Sequence, residues 1–128
     1  MTKKIIHTKK APAAIGPYSQ GVLANNIVFI SGQIPFDPDT NELIKGSIAK
    51  QTKQVLKNIQ AVIEAAGGKL QDIVKCTVFL QNMDDFSEMN KIYETFFTND
   101  PPARAAVEVA RLPKDVGIEI EAFALLND

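Results

Sequence analysis

Arg104 is the residue whose type and setting most directly suggest chemistry in this sequence. It lies in the segment ARAAVEVA (103–110), where most of its neighbours are small or apolar. An arginine in such a strand is either a strand-end residue that reaches solvent beside Asp100, or a planar donor pair directed at a carboxylate in a partly buried pocket. The pattern alone favours the first interpretation and leaves the second open.

Glu119 and Glu121 form a second candidate pair, because they alternate with apolar residues in the segment 117–126. Alternation of period two directs both carboxyl groups to one face of a strand, about 7 Å apart. A solvated strand face explains such a pair, and we favour this interpretation for Glu121. A carboxylate held beside a substrate-bound water would instead orient that water or accept its proton.

Tyr18, Ser31 and Gly32 lie in two turn-rich segments, IGPYSQ (15–20) and ISGQIP (30–35). Taken singly, each segment predicts a turn, and Tyr18 can equally be a packing aromatic whose hydroxyl lies in water. Residue type alone therefore assigns no chemistry to these three positions.

Asn90 is more informative because of its place in a helical pattern. It follows Phe86 by four residues and precedes Tyr93 by three, which places its amide on the apolar side of a helix. A buried amide needs hydrogen-bond partners. Asn90 is therefore either a satisfied structural group or part of a pocket wall.

Composition and charge argue against several classes of protein. Of the 128 residues, 45% are hydrophobic and 23% are charged, which is typical of a globular chain and predicts a single domain over 1–128. A net charge of -1 and a pI of 5.8 lack the positive field that attracts nucleic acid. One cysteine (Cys76) and one histidine (His7) are too few for a usual zinc site, and they form no recognisable nucleophile motif.

Neither a membrane segment nor a secretion signal is expected. No apolar run approaches the ~18 residues that span a bilayer. The opening MTKKIIHTKK also lacks the apolar centre of a secretion signal. The simplest expectation is a cytoplasmic protein.

Hydrophobic periodicity predicts strands and two helices. The first helix has about five turns; it begins after a Ser47 N-cap and ends at Gly67-Gly68. The second begins at Asp84 or Asp85. The predicted strands lie near 4–8, 19–25, 26–34, 72–81, 103–110 and 117–126. This order predicts an α+β fold, with two helices on one face of a mixed sheet.

The strand at 72–81 has one face that we expect to be dry. Four residues share that face: Val74, Cys76, Val78 and Leu80. Cys76 should therefore behave as a small buried hydrophobe.

Two helices on one face leave the other face of the sheet without cover, which predicts a homo-oligomer.

The pairing of the last two strands determines the distance between Arg104 and Glu119. If 103–110 and 117–126 pair as a hairpin, Arg104 lies opposite residue 124 and about 17 Å from Glu119. Within one such hairpin the two residues would not easily share one small substrate.

Six segments together closely resemble the Rid family of reactive-intermediate deaminases, also called YjgF or 14 kDa translation-inhibitor-like proteins. These segments are IGPYSQ (15–20), ISGQIP (30–35), QTKQVLKNI (51–59), DFSEMNKIYETFF (85–97), PARAAVEVARLPKD (102–115) and IEIEA (118–122). The resemblance implies a chorismate-mutase-like fold of the bacillus type, with a six-stranded mixed sheet and two helices on one face. It also implies a homotrimeric barrel with clefts between its subunits.

The same resemblance implies an activity, namely hydrolysis of 2-imino acids and their enamine tautomers, such as 2-iminobutanoate and 2-iminopropanoate, to 2-keto acids and ammonia. Neither metal nor cofactor is implied. Arg104 matches the arginine that binds the substrate carboxylate, helped by the backbone amide of residue 106, and Glu119 matches the acid that holds the attacking water. The remaining matches line the pocket: Tyr18, Ser31, Gly32 and Asn90.

This chain departs from many relatives at one point, because it has Ala105-Ala106 where they have Ser-Cys. We expect the deaminase site to survive, since the role implied for position 106 belongs to the backbone. Thiol-dependent chemistry at this position is lost.

Two other function classes stay open at this stage. An endoribonuclease or translation inhibitor would need a basic groove and an acid-base pair, which the charge balance and the lone His7 argue against. A non-catalytic regulatory protein that binds a small anion would use the same Arg104. The sequence does not separate this last possibility from catalysis.

Overall fold

Six strands form one mixed sheet in the computed structural model, which describes residues 2–127. The sheet order is β1-β2-β3-β8-β6-β7, and only β6 and β7 run parallel. The strands of this sheet are β1 (Lys3–Ile6), β2 (Gly21–Ala24), β3 (Ile27–Gln33), β6 (Ile73–Leu80), β7 (Ala103–Glu108) and β8 (Ile118–Leu125). A small separate ribbon consists of β4 (Phe36–Asp37) and β5 (Glu42–Leu43). The predicted α+β class and mixed sheet are confirmed.

Two helices, α1 (Ile48–Ala65) and α2 (Phe86–Phe96), pack together and cover one face of this sheet. The Ser47 side chain accepts a hydrogen bond from the Lys50 N–H at 3.2 Å, which confirms the predicted N-cap. The expected cap of α2 is only partly right. Asp85 precedes the helix but makes no capping bond. The side-chain cap comes from Asn82, which accepts from the Asp84 N–H at the start of a preceding 3₁₀ turn.

The residues predicted to form the buried face of β6 are buried, with the exception of Val74. Cys76, Val78 and Leu80 are fully buried beneath the helices, as expected. Val74 is 49% exposed, so its predicted place on the dry face is wrong. The pairing of β6 with β8 shifts register between Ile73 and Lys75, and this irregularity turns Val74 to the opposite face.

The hairpin considered for 103–110 and 117–126 does not form, because β6 lies between β7 and β8. The chain leaves β6, forms α2, and returns as a strand parallel to β6, and a parallel return of this kind needs such a crossover. Arg104 is therefore paired with Cys76, and Glu119 is paired with Phe79.

The sheet face opposite the helices remains partly apolar and exposed. Phe29, Val107 and Phe123 each expose about two fifths of their surface there (42%, 42% and 40%). The rings of Phe29 and Phe123 meet edge to face, with centroids 5.4 Å apart.

No helix within residues 2–127 is long and apolar enough to cross a membrane.

Candidate active site

Arg104 lies on the edge strand β7 and directs its guanidinium toward α2. Its Nη1 donates a hydrogen bond to Asn90 Oδ1 at 2.7 Å. Its Cζ lies 4.7 Å from the centroid of the Tyr93 ring and 5.3 Å from that of Phe86. Arg104 forms no ion pair with an acidic side chain of residues 2–127, Asp100 included. The guanidinium is therefore held by neutral groups and keeps its charge uncompensated.

The local sequence explains why these groups meet. Paired residues of neighbouring strands direct their side chains to the same face, so pairing with buried Cys76 places Arg104 on the helix face. On α2, the spacing of Phe86, Asn90 and Tyr93 (four residues, then three) aligns all three along one side. Asn90 thus has the partner that its position in the helix requires.

The aromatic neighbours of Arg104 are the functional residues that sequence reasoning missed. Phe86 and Tyr93 have the spacing of an ordinary core stripe, and nothing in that spacing distinguishes a ring that packs on the core from one that flanks an arginine. The polar Asn90 between them was the available signal. Its meaning depends on β7 lying beside α2, which the pattern of neither segment indicates.

Tyr93 is almost completely buried between α2 and the sheet, with 4% of its surface exposed. Its hydroxyl has no hydrogen-bond partner of good geometry and lies beside the Cys76 thiol. Burial raises the pKa of the Tyr93 phenol well above its ordinary value, and the neighbouring thiol adds to this rise. Burial also raises the pKa of Cys76, so both groups are neutral at physiological pH.

Arg104 borders a groove of about 660 Å³ between α2 and the segment 97–102.

Ala106 lies two residues beyond Arg104 on the same edge strand, and its backbone N–H is free to bind a ligand. Its N–H direction follows from Val109, whose N–H donates to the Leu80 carbonyl in β6 at 2.9 Å. Because N–H directions alternate along a strand, the N–H of Ala106 points away from β6, toward the free edge of the sheet.

Glu119 lies on the opposite face of the sheet from Arg104. It is paired with Phe79 and stands between the inward-facing Ile118 and Ile120, so its side chain points to the face that the helices leave open. Burial raises the pKa of the Glu119 carboxyl above its ordinary value, and the charge of Glu121 raises it further. Glu121 shares this face, as the alternation predicts.

Gly32 and Ser31 lie close to Glu119, where β3 departs from regular pairing. The register of β3 with β8 shifts between Ile30 and Gln33, and a Cβ on Gly32 would overlap the Glu119 carboxylate. The Ser31 hydroxyl donates to the carbonyl of Ser19 at 2.5 Å. This bond ties the irregular part of β3 to the segment that carries Tyr18.

Tyr18 is half exposed (53%), and its hydroxyl accepts a hydrogen bond from the Ile15 N–H at 3.4 Å.

The site residues predicted from the sequence form two groups in one chain. Arg104, Asn90 and Ala106 belong to the edge strand and α2. The second group surrounds the irregular part of β3: Tyr18, Ser31, Gly32 and Glu119.

The two groups cannot act on one small molecule within a single chain. Residues 104 and 119 are three residues apart along β6 and two strands apart across the sheet, which separates their Cα atoms by about 14 Å. Their side chains also lie on opposite faces. One group supplies a fixed cation with a free N–H donor, and the other supplies a carboxylate with a raised pKa.

Comparison with known proteins places this architecture in a family. Residues 8–126 match the profile described as Endoribonuclease L-PSP. A RutC family protein of Pyrococcus abyssi is 54% identical over 124 residues, which are 97% of this chain and 98% of that protein. The 2-iminobutanoate/2-iminopropanoate deaminase of Escherichia coli is 54% identical over 125 residues, 95% of this chain and 97% of that protein.

A solved structure agrees with the sequence relatives. The crystal structure of E. coli TdcF with bound serine has a TM-score of 0.93 and 46% sequence identity, and the match covers 97% of this chain and 99% of that chain. The match of the family profile, the level of identity and the shared fold lead to one conclusion. The chain belongs to the Endoribonuclease L-PSP family, which is also known as the YjgF or Rid family.

Proposed function

We propose that this protein hydrolyses 2-imino acids and their enamine tautomers, with 2-iminobutanoate and 2-iminopropanoate as substrates, to 2-keto acids and ammonia. The observation that carries the proposal is the state of Arg104. A guanidinium that is oriented by Asn90 and two aromatic rings, and that has no ion pair among residues 2–127, is a receptor for a carboxylate. The similarity to the E. coli deaminase supports the same substrate class.

We further propose that the active site lies in a cleft between subunits of a homotrimer with the chorismate-mutase-like fold. Arg104 and Glu119 lie on opposite faces of the sheet in one chain, so a site that uses both needs a second subunit. The exposed apolar residues of the open face supply a surface for such an assembly. Each cleft would combine the Arg104 group of one subunit with the Glu119 group of another.

In this site the substrate carboxylate is bound by Arg104 and by the backbone N–H of Ala106. Arginine can donate two parallel hydrogen bonds to a carboxylate, which fixes the orientation of the substrate. Tyr18, Ser31, Gly32 and Asn90 form the surrounding walls. The protonated imine is already electrophilic, so orientation of substrate and water is the main task of the protein, and no metal or cofactor is needed for it.

Glu119 holds the attacking water and moves its protons. As the water oxygen bonds to the imine carbon, the C=N electron pair moves to nitrogen and Glu119 accepts a proton from the water. Glu119 then returns this proton to the amine of the carbinolamine. The C–N bond then breaks and ammonia leaves, while Glu119 takes the hydroxyl proton as the C=O bond forms; transfer of this proton to ammonia gives ammonium and restores the carboxylate. The raised pKa of Glu119 makes it a stronger base than an ordinary glutamate.

The test is the rate of hydrolysis of freshly generated 2-iminobutanoate. Arg104→Ala should lower kcat/KM by roughly 30-fold to several thousand-fold, because a charge-assisted contact worth about 2–5 kcal/mol is lost. Arg111→Ala is the matched control, since Arg111 is exposed and paired with Asp115. Full activity in Arg104→Ala would contradict the proposed role of this residue.

The same experiment separates the other function classes. Binding of 2-oxobutanoate without hydrolysis of the imine would indicate a non-catalytic anion-binding protein. Cleavage of RNA by protein free of contaminating nuclease, lost in Arg104→Ala, would indicate the activity for which the family profile is described.

A further inference from the structure

The guanidinium of Arg104 is exposed, and it is oriented without being neutralised by an acidic side chain of residues 2–127. Of its three neighbours on α2, Asn90 supplies one hydrogen bond, and Phe86 and Tyr93 supply only the faces of their rings. A cation is attracted to the face of an aromatic ring without losing its charge to a counter-ion. The donors that do not point to Asn90 therefore stay available for a ligand.

Tyr93 is the closer of the two rings and the better fixed. The Phe97 ring packs against it with a centroid distance of 4.7 Å. Its hydroxyl lies beside Cys76, the β6 residue that is paired with Arg104. Tyr93 is thus enclosed by its own helix and by the strand pair that carries the arginine.

We propose that Tyr93 is a positioning residue for Arg104, whose ring face holds the guanidinium in the orientation that receives a carboxylate. A long arginine side chain otherwise samples many rotamers, and ordering it opposes ligand binding. A ring that orders the guanidinium before binding removes that penalty. The choice of a 2-keto carboxylate as ligand rests on the proposed function.

The ring of Tyr93 supplies this effect and its hydroxyl does not. The hydroxyl is buried beside the weakly polar Cys76 thiol and has no hydrogen-bond partner of good geometry, which is a net cost to the folded state. Tyr93→Phe keeps the ring and removes the unsatisfied group. Tyr93→Leu and Tyr93→Met remove the ring face but keep an apolar side chain in the core, and flexible methionine is the substitution that such a space tolerates best.

The experiment is calorimetric titration of the folded wild-type assembly and its variants with 2-oxobutanoate. Tyr93→Leu and Tyr93→Met should raise Kd by about 3- to 5-fold, the upper part of the range for a cation–π contact of an exposed cation. Tyr93→Phe should restore most of the lost affinity. Phe96→Leu is the matched control, because Phe96 is on the same helix and packs against the core without flanking Arg104. Its Kd should stay within about twofold of the wild type.

Turnover adds a second readout, since loss of orientation should raise KM for 2-iminobutanoate more than it lowers kcat. An unchanged Kd in folded Tyr93→Met would overturn the proposal, and so would an equal loss of affinity in Phe96→Leu. Wild-type protein that binds 2-oxobutanoate but hydrolyses no imine would overturn only the proposed function. Wild-type protein that does not bind 2-oxobutanoate would overturn both.

Discussion

At the scale of single residues, Glu119 is held in a setting that disfavours its charged form. Burial and the neighbouring Glu121 raise its pKa above the ordinary value of 4.5. The folded chain therefore binds this proton more tightly than the unfolded chain does. The resulting contribution to stability is present below pH 4.5 and is lost as the pH rises through the raised folded-state pKa.

Glu119→Gln should consequently be more stable than the wild type at neutral pH, although it should be much less active. The stability difference should be small near pH 4 and should grow as the pH is raised to about 8, because only the wild type acquires the disfavoured charge. Urea unfolding at one fixed subunit concentration measures it. Glu121→Gln should give a smaller gain of the same sign. A variant that loses stability relative to the wild type between these pH values would contradict the assignment.

At the scale of elements, the irregular part of β3 makes room for the Glu119 side chain. The register shift after Ile30 brings the backbone of Gly32 against the carboxylate, at a distance that leaves no space for a Cβ. Any larger residue at this position would have to displace the Glu119 carboxylate. The position of Glu119 and the path of β3 depend on each other.

Gly32→Ala should displace the Glu119 carboxylate and lower kcat/KM for the imine by at least about tenfold, with only a small loss of stability, because the displaced group is the end of a flexible side chain. The double variant Gly32→Ala with Glu119→Gln should lose less activity than the sum of the two single changes. Such non-additivity is the signature of residues in contact. Strictly additive losses would show that Gly32 acts elsewhere.

The elements also show which features of the fold can be predicted from the sequence. Patterns within one segment predict α1 with its Ser47 cap, the extent of β3 and the buried face of β6, because each depends on residues a few positions apart. The outward turn of Val74 was not predictable, since it results from a pairing irregularity with a distant strand. The order of β6, β7 and β8 was not predictable for the same reason, because it depends on pairing between strands that are distant in sequence. Local alternation fits a hairpin and a parallel crossover equally well.

The features of the candidate site also divide into those that the sequence predicts and those that depend on strand order. Arg104, Asn90 and Glu119 can be selected as candidates from residue type and spacing, and the family resemblance gives them roles. The contact between Arg104 and Tyr93 follows only once β7 is known to lie beside α2. The placement of Arg104 and Glu119 on opposite faces likewise follows from strand order and not from either segment alone.

At the scale of the whole molecule, the two halves of the proposed site belong to different surfaces of one chain. The Arg104 group lies at the free edge of the sheet, and the Glu119 group lies on its open face. A trimer that joins the edge of one subunit to the open face of the next forms three equivalent clefts. Each cleft then contains one Arg104 and one Glu119 from different chains.

This arrangement predicts that two inactive variants restore activity when they assemble together. Homotrimers of Arg104→Ala and of Glu119→Gln each lack one group in every cleft. After joint unfolding and refolding in equal amounts, random assembly gives about a quarter of the clefts both native residues, so roughly a quarter of wild-type activity should return. The measurement is imine hydrolysis by the refolded mixture, with each variant refolded alone as the control. Light scattering should show the same trimeric mass throughout. A site built within one chain would recover nothing on mixing, because no chain in the mixture carries both residues.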